Sequence, residues 1–181
     1  MPGAADYAAK PVAATLHRLS ETPVELGRVV TASDDVPLSR RPEPSSWSAK
    51  EIVCHLRDVE ELFQLRFHTI LALDEPMILV LGANSEELAP WRLGTSHPLD
   101  PNRWAEERQY QRHDAREALG AFQRRRGEVL ALLNGLTDAD WRRGGIHPAR
   151  GRLTLAQWAA SLAGHDDNHL AQLVRALDGR A

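Results

Sequence analysis

The sequence predicts an all-α fold, a four-helix bundle with long connecting loops, and three observations carry that prediction. Strand-type alternation bounded by turns is almost absent. Helix start signals recur, either Ser or Thr three residues ahead of Glu or Gln, or Asp directly ahead of Pro. Between these signals, apolar residues return every three or four positions, the spacing of a buried helix face. Amphipathic helices of this length must bury their stripes against one another, and a bundle is the simple solution.

The elements follow in order. Residues 6–32 read as one kinked helix or two short ones, with Val12, Leu16 and Leu19 on one face. Within them "TPVE" offers Thr22 as a cap, Pro23 at a first helical position and Glu25 to close a capping box. The segment "SDDVPLSRRPEPSSW", 33–47, is rich in proline, serine and charge and predicts a long crossing loop. In "WSAKEI", Ser48 and Glu51 form a capping box and Trp47 can staple onto Ile52. The helix that follows should run to about Leu73, with Ile52, His55, Val59, Leu62 and Arg66 along one stripe, until Asp74, Glu75 and Pro76 end it.

Residues 76–99 hold prolines and glycines among scattered apolar residues and predict loop, with room for one short helix. Asp100-Pro101 is a cap-plus-proline start, and Asp114 to Glu117 restarts or continues that helix to about Leu133. Its apolar side is Ala118, Leu119, Phe122, Val129, Leu132 and Leu133, and Asn134-Gly135 makes a stop. "TDADW" predicts one helical turn before the glycine-rich loop "GGIHPARG". The last helix opens on Thr154 and Gln157 with a Leu153–Trp158 staple and ends at Gly179.

Length and composition bound what such a bundle can do. A chain of 181 residues, 43% hydrophobic, suits a single domain spanning 1–181 with one real core. A net charge of −3 gives no global attraction to nucleic acid or anionic membranes. "RRR" at 124–126 and "WRR" at 141–143 share their region with Glu106, Glu107, Glu117 and Glu128 and lack stacking aromatics, so they read as a solvated basic face. The stretch "MPGAADYAAKPVAATLHRL" has no uninterrupted apolar segment, and "MILVLG" at 77–82 is too short to cross a bilayer. The single Cys54 excludes an internal disulfide and suits a reducing compartment, so a cytoplasmic protein is expected.

Chemistry is concentrated in "GHDDNHLAQL", 164–173. Leu155, Trp158, Leu162, His165, His169 and Leu173 advance by three or four and share one face, which turns two imidazoles into the bundle. A buried imidazole without partners costs roughly 1–3 kcal/mol per unsatisfied group, and two rings one turn apart resist double protonation. A divalent cation removes both difficulties by taking a lone pair from each ring. The second helix offers a third ring, because His55 stands where its stripe calls for an aliphatic residue.

A lone histidine on an apolar face is more often a hydrogen-bonded core residue, and a bare HxxxH pair arises by chance. What distinguishes His55, His165 and His169 is that two separate helices break their stripes with the same residue type. Three imidazoles leave open coordination positions, the mark of a reactive rather than a closed structural site. The pattern is not that of the zincins, since no glutamate follows the first histidine.

Asp58 and Glu51 lie one turn either side of His55, and Asp58 could orient its ring, while Glu51 is better used as a cap. Asp166 adjoins His165 and could supply it with a hydrogen bond; Asn168 reads as surface. His147 could overhang the site from its loop, although a turn role suits it better, and Cys54 is turned roughly 100° from His55.

Together "WSAKEIVCHLRDVE", "WAEERQY" and "HPARGRLTLAQWAASLAGHDDNHLAQL" make the chain resemble the DinB/YfiT-like superfamily over nearly its whole length. The resemblance implies a four-helix bundle, homodimeric in many members, holding a divalent metal through three histidines, here His55, His165 and His169. The metal could be zinc, nickel, iron, copper or cobalt, since three imidazoles suit all of them. It also implies, first, a metal-dependent transferase that deprotonates a small cellular thiol and presents it to an electrophile, with loops 76–99 and 143–152 shaping the pocket. A metal-dependent hydrolase using metal-bound hydroxide is the alternative, and a metal- or ligand-binding protein without turnover is a third reading.

Overall fold

The computed structural model describes residues 3–80 and 100–181. Its elements in chain order are α1 (Ala4–Ala8), α2 (Val12–Ala32), α3 (Asp35–Ser39), α4 (Ala49–Ala72), α5 (Pro101–Glu107), a 3-10 turn (Tyr110–Arg112), α6 (Ala115–Asn134), α7 (Asp138–Arg142), β1 (Gly144–His147), β2 (Gly151–Thr154) and α8 (Leu155–Leu177). The long helices α2, α4, α6 and α8 form the bundle, in which α2 and α4 each pack against both α6 and α8. No helix among the described residues is long and apolar enough to cross a membrane.

The predicted caps are formed at the helices that matter most. Ser48 Oγ accepts from the Glu51 amide and Glu51 Oε2 accepts from the Ser48 amide, which fixes the first turn of α4. Thr154 and Gln157 do the same for α8, and the Asp114 carboxylate accepts from the Arg116 and Glu117 amides at the start of α6. Asp100 caps α5 ahead of Pro101. Gly135 closes α6, and α8 ends at Leu177, two residues before the expected glycine.

Several expectations are corrected. Thr22 and Pro23 do not start a helix; both lie inside α2, and the chain breaks instead at 9–11, ahead of Val12. Thr22 is fully buried and its hydroxyl donates to the Arg18 carbonyl, so it is not available as a cap. Pro23 has no N–H for the Leu19 carbonyl one turn earlier, and that carbonyl instead accepts from Arg126 Nη1 at 2.9 Å. A tertiary partner thus replaces the hydrogen bond that proline removes. The 33–47 loop contains the short α3.

The "GGIHPARG" loop is an antiparallel hairpin, with Gly145 opposite Leu153 and Gly151 at φ +70° in its turn. Met77 bridges to Ile146 beside it, and a Cβ at Gly145 would come within 2.5 Å of Ile78. The stretch 81–99, part of the segment expected to be loop, lies outside the described residues. At the other face of α8, Gly164 lets α1 approach so closely that a Cβ there would meet the Ala4 nitrogen at 2.5 Å.

Candidate metal centre

His55 comes from the second turn of α4, directly after the cap that Ser48 and Glu51 build. Arg41 and Gln111 both donate to the Glu51 carboxylate, Gln111 at 2.8 Å. Burial alone would raise the Glu51 carboxyl, but Arg41, the Ser48 amide and Gln111 hold it below its ordinary value. The ring that this start positions is 2% exposed. His165 and His169 project one turn apart from α8 toward the same point.

The three rings converge. Their potential ligand atoms all lie within 4.8 Å of one another, and His55 Nε2 is 3.2 Å from His165 Nε2. The His165 and His169 ring centroids are 4.3 Å apart, and the Trp47 ring closes one side at 4.8 Å from His55. Trp47 therefore walls the centre, where the sequence suggested only a staple to Ile52.

Burial, with His169 and His165 as neighbours, pushes His55 down to about 2; burial and His165 push His169 down to about 3. These two rings are neutral bases at physiological pH. Gln172 Oε1 lies 2.8 Å from His169 Nδ1; accepting its N–H leaves Nε2 with a free lone pair.

The donor set fits a divalent cation. Two nitrogens each about 2.0–2.1 Å from a tetrahedral zinc stand roughly 3.3 Å apart, close to the His55–His165 separation. Two nitrogens facing at that distance can share at most one proton, and His55 Nδ1 and His165 Nδ1 are buried with no hydrogen-bond partner among the described residues. A cluster left so poorly satisfied by protein groups is suited to an external ligand.

The flanking residues are placed differently from expectation. Asp58 does not orient His55: it accepts from Arg57 Nε at 2.7 Å, Tyr110 OH at 2.8 Å and Arg108 Nη1 at 2.9 Å, tying α4 to the segment before α6. Asp166 Oδ1 is 4.0 Å from His165 Nδ1 and has no hydrogen bond among the described residues. Asn168 is exposed. His147 accepts from the Ala149 and Arg150 amides and stacks on Trp158, a turn role at the far end of α8. Cys54 is buried, its thiol pushed up to about 12 by burial, and among the described residues it belongs to no ligand cluster.

"RRR" is not a solvated face throughout. Arg126 is fully buried, bonded to Glu60 at 2.6 and 2.7 Å and to Asp166 at 2.7 Å. Sequence reasoning passed over both Arg126 and Glu60, yet a signal was there. Arg126 continues the series Leu119, Phe122, Val129, Leu133, and Glu60 the series Leu56, Phe63, Phe67, all of them buried.

The centre opens through His169 and Trp47 into a cavity of about 340 Å³. The hairpin at 144–154 takes no part in it; the walls come from 42–47, Pro101, Asn102 and the end of α8. Both Arg175 and Arg180 line it, and among the described residues its lining contains no acidic side chain.

Comparison with known proteins places this geometry. The DinB superfamily matches residues 5–173. YfiT of Bacillus subtilis (strain 168), whose name gives it provisionally as a metal-dependent hydrolase, is 26% identical over 156 residues, 86% of this chain and 78% of that protein. The solved structure of YfiT, described as a probable metal-dependent hydrolase with an unusual four-helix bundle topology, superposes with a TM-score of 0.75 at 24% identity. That match covers 91% of this chain and 85% of the other, and it shows the shared bundle fold.

Proposed function

The chain belongs to the DinB superfamily, and on that footing we propose that it is a metal-dependent hydrolase whose divalent cation is held by His55, His165 and His169. The observation that carries the reading is the convergence of three imidazoles from two helices, with ligand atoms within 4.8 Å, beside an open cavity. A divalent cation there supplies Lewis-acid chemistry, lowering the pKa of water toward neutrality and polarising a carbonyl or phosphoryl oxygen.

The chain's own residues do the rest. His55, 2% exposed, is the most deeply buried ring of the three. Gln172 sets the His169 tautomer, so that the Nε2 lone pair faces the other two rings. Trp47 gives a flat apolar wall for a substrate in the cavity. The Arg175 guanidinium has no partner among the described residues, which favours a small substrate bearing an anionic group.

The printed description of YfiT supports hydrolysis. Neither the pocket nor that relative offers an observation favouring thiol transfer, so the first expectation from the sequence gives way to its alternative. Elemental analysis of the purified wild type beside His169→Ala tests the centre. About one divalent ion per chain in the wild type, absent from the variant, is the expected result; metal in neither, even after supplementation, refutes the reading. With the metal established, carboxylate-bearing esters should be hydrolysed with lower KM than their neutral analogues, an advantage that Arg175→Gln removes.

A further inference from the structure

Each long helix of the bundle sends one group to a single buried point beside the imidazoles. Arg126 of α6 stands at its middle, with no solvent exposure. Its Nε and Nη2 donate to both oxygens of Glu60 on α4 at 2.7 and 2.6 Å. Its Nη1 donates to Asp166 Oδ2 on α8 at 2.7 Å and to the Leu19 carbonyl of α2 at 2.9 Å.

One acceptor in this network is left over. Among the described residues Asp166 Oδ1 has no hydrogen bond, and it lies 4.0 Å from His165 Nδ1, which has none either. Each such buried group costs about 1–3 kcal/mol, so a merely structural ion pair would be expected to satisfy both. Glu60 and Asp166 share the single guanidinium of Arg126, all three groups being fully buried. A carboxylate behind a ring nitrogen, with the opposite nitrogen aimed into a three-imidazole cluster, is the arrangement that orients a metal-ligating histidine.

We propose that Arg126 and Glu60 are positioning residues for the metal centre, holding Asp166 so that cation binding at His165 Nε2 draws the His165 Nδ1–H onto Asp166 Oδ1. The proposal rests on the metal reading above. The cation makes the ring N–H a stronger donor toward the Asp166 carboxylate. The bidentate clamp of Arg126 on Glu60 prevents the Asp166 carboxylate from turning away to find another donor. The centre is thereby tied to the packing of all four helices.

The test is zinc affinity, by competition with a chromophoric chelator, for wild type, Asp166→Asn, Glu60→Gln and Arg126→Lys, with nitrogen NMR of the His165 ring in metal-free and zinc-loaded wild type. Asp166→Asn should weaken zinc binding by about 10–100-fold. Glu60→Gln and Arg126→Lys should weaken it by smaller factors, and zinc loading should turn His165 Nδ1 into a hydrogen-bonded N–H. Zinc affinity within twofold of wild type in Asp166→Asn, or a His165 Nδ1 whose signal is the same with and without zinc, overturns the proposal. The NMR arm needs only the wild type and decides the question should a variant fail to fold. Wild type that binds no zinc refutes the metal reading itself, whereas tight wild-type binding with an indifferent Asp166→Asn sinks only the positioning role.

Discussion

Two polar clusters sit side by side in the core of this bundle, and they are built on opposite principles. Around Arg126, charged side chains are buried and every guanidinium nitrogen meets an acceptor, while Asp166 Oδ1 is an acceptor left without a donor among the described residues. At His55, His165 and His169 two ring nitrogens have no partner among the described residues, and a cavity adjoins. In the first cluster the guanidinium is fully bonded to three other helices and so can hold them in register. The second leaves lone pairs over and so can hold something else. Burial of polar groups does not distinguish them; what remains unsatisfied does.

The largest test of that contrast is Arg126→Met. It strands two carboxylates in the core and should cost about 3–5 kcal/mol in the metal-free protein, read by urea denaturation. A cost under 1 kcal/mol would mean the network does not hold the fold.

Acid should act on the other cluster. Folded His55 and His169 titrate at about 2 and about 3, below the ordinary value of 6.5. On unfolding, both rings can take up protons once the pH drops below 6.5. Metal-free protein should therefore be most stable above that pH and lose stability as it falls toward 3, by up to about 1.4 kcal/mol per pH unit for each ring. Denaturation midpoints across that window should fall in wild type and fall less steeply in His55→Leu; parallel curves would show that the His55 ring is not held neutral by burial.

Gln172→Leu removes the acceptor at His169 Nδ1 and should weaken metal binding about tenfold, or about 1.4 kcal/mol, with little change in metal-free stability. The smallest effect sharpens the comparison most. His55→Leu should raise metal-free stability by about 1 kcal/mol, because it replaces a buried, incompletely bonded ring with an apolar side chain, while abolishing metal uptake. A protein destabilised by that change would place His55 among the structural groups.

Much of this was legible because it depends on short-range spacing. The Ser48–Glu51 and Thr154–Gln157 boxes, the Asp100-Pro101 start and the inward faces on which His55, His165 and His169 lie follow from local chemistry and helical period. Asp58 failed as a neighbour of His55 for a related reason. Adjacency along a helix does not say which element packs alongside, and there the segment before α6 brings Arg108 and Tyr110 to the carboxylate. Thr22-Pro23 reads as a helix start only while the partner of the Leu19 carbonyl is unknown.

By itself, then, the sequence determined the helices, their apolar faces and the three inward imidazoles, since these are set by side chains within a few positions of one another. The tertiary structure alone decided that Arg126 is a core residue rather than a surface charge. It also decided that the Asp58 carboxylate is taken up by Arg57, Arg108 and Tyr110, and that the cavity opens between 42–47 and the end of α8. Those outcomes depend on which groups four packed helices bring together to satisfy one another's charges and hydrogen bonds, and no spacing along one helix encodes the partner it will meet.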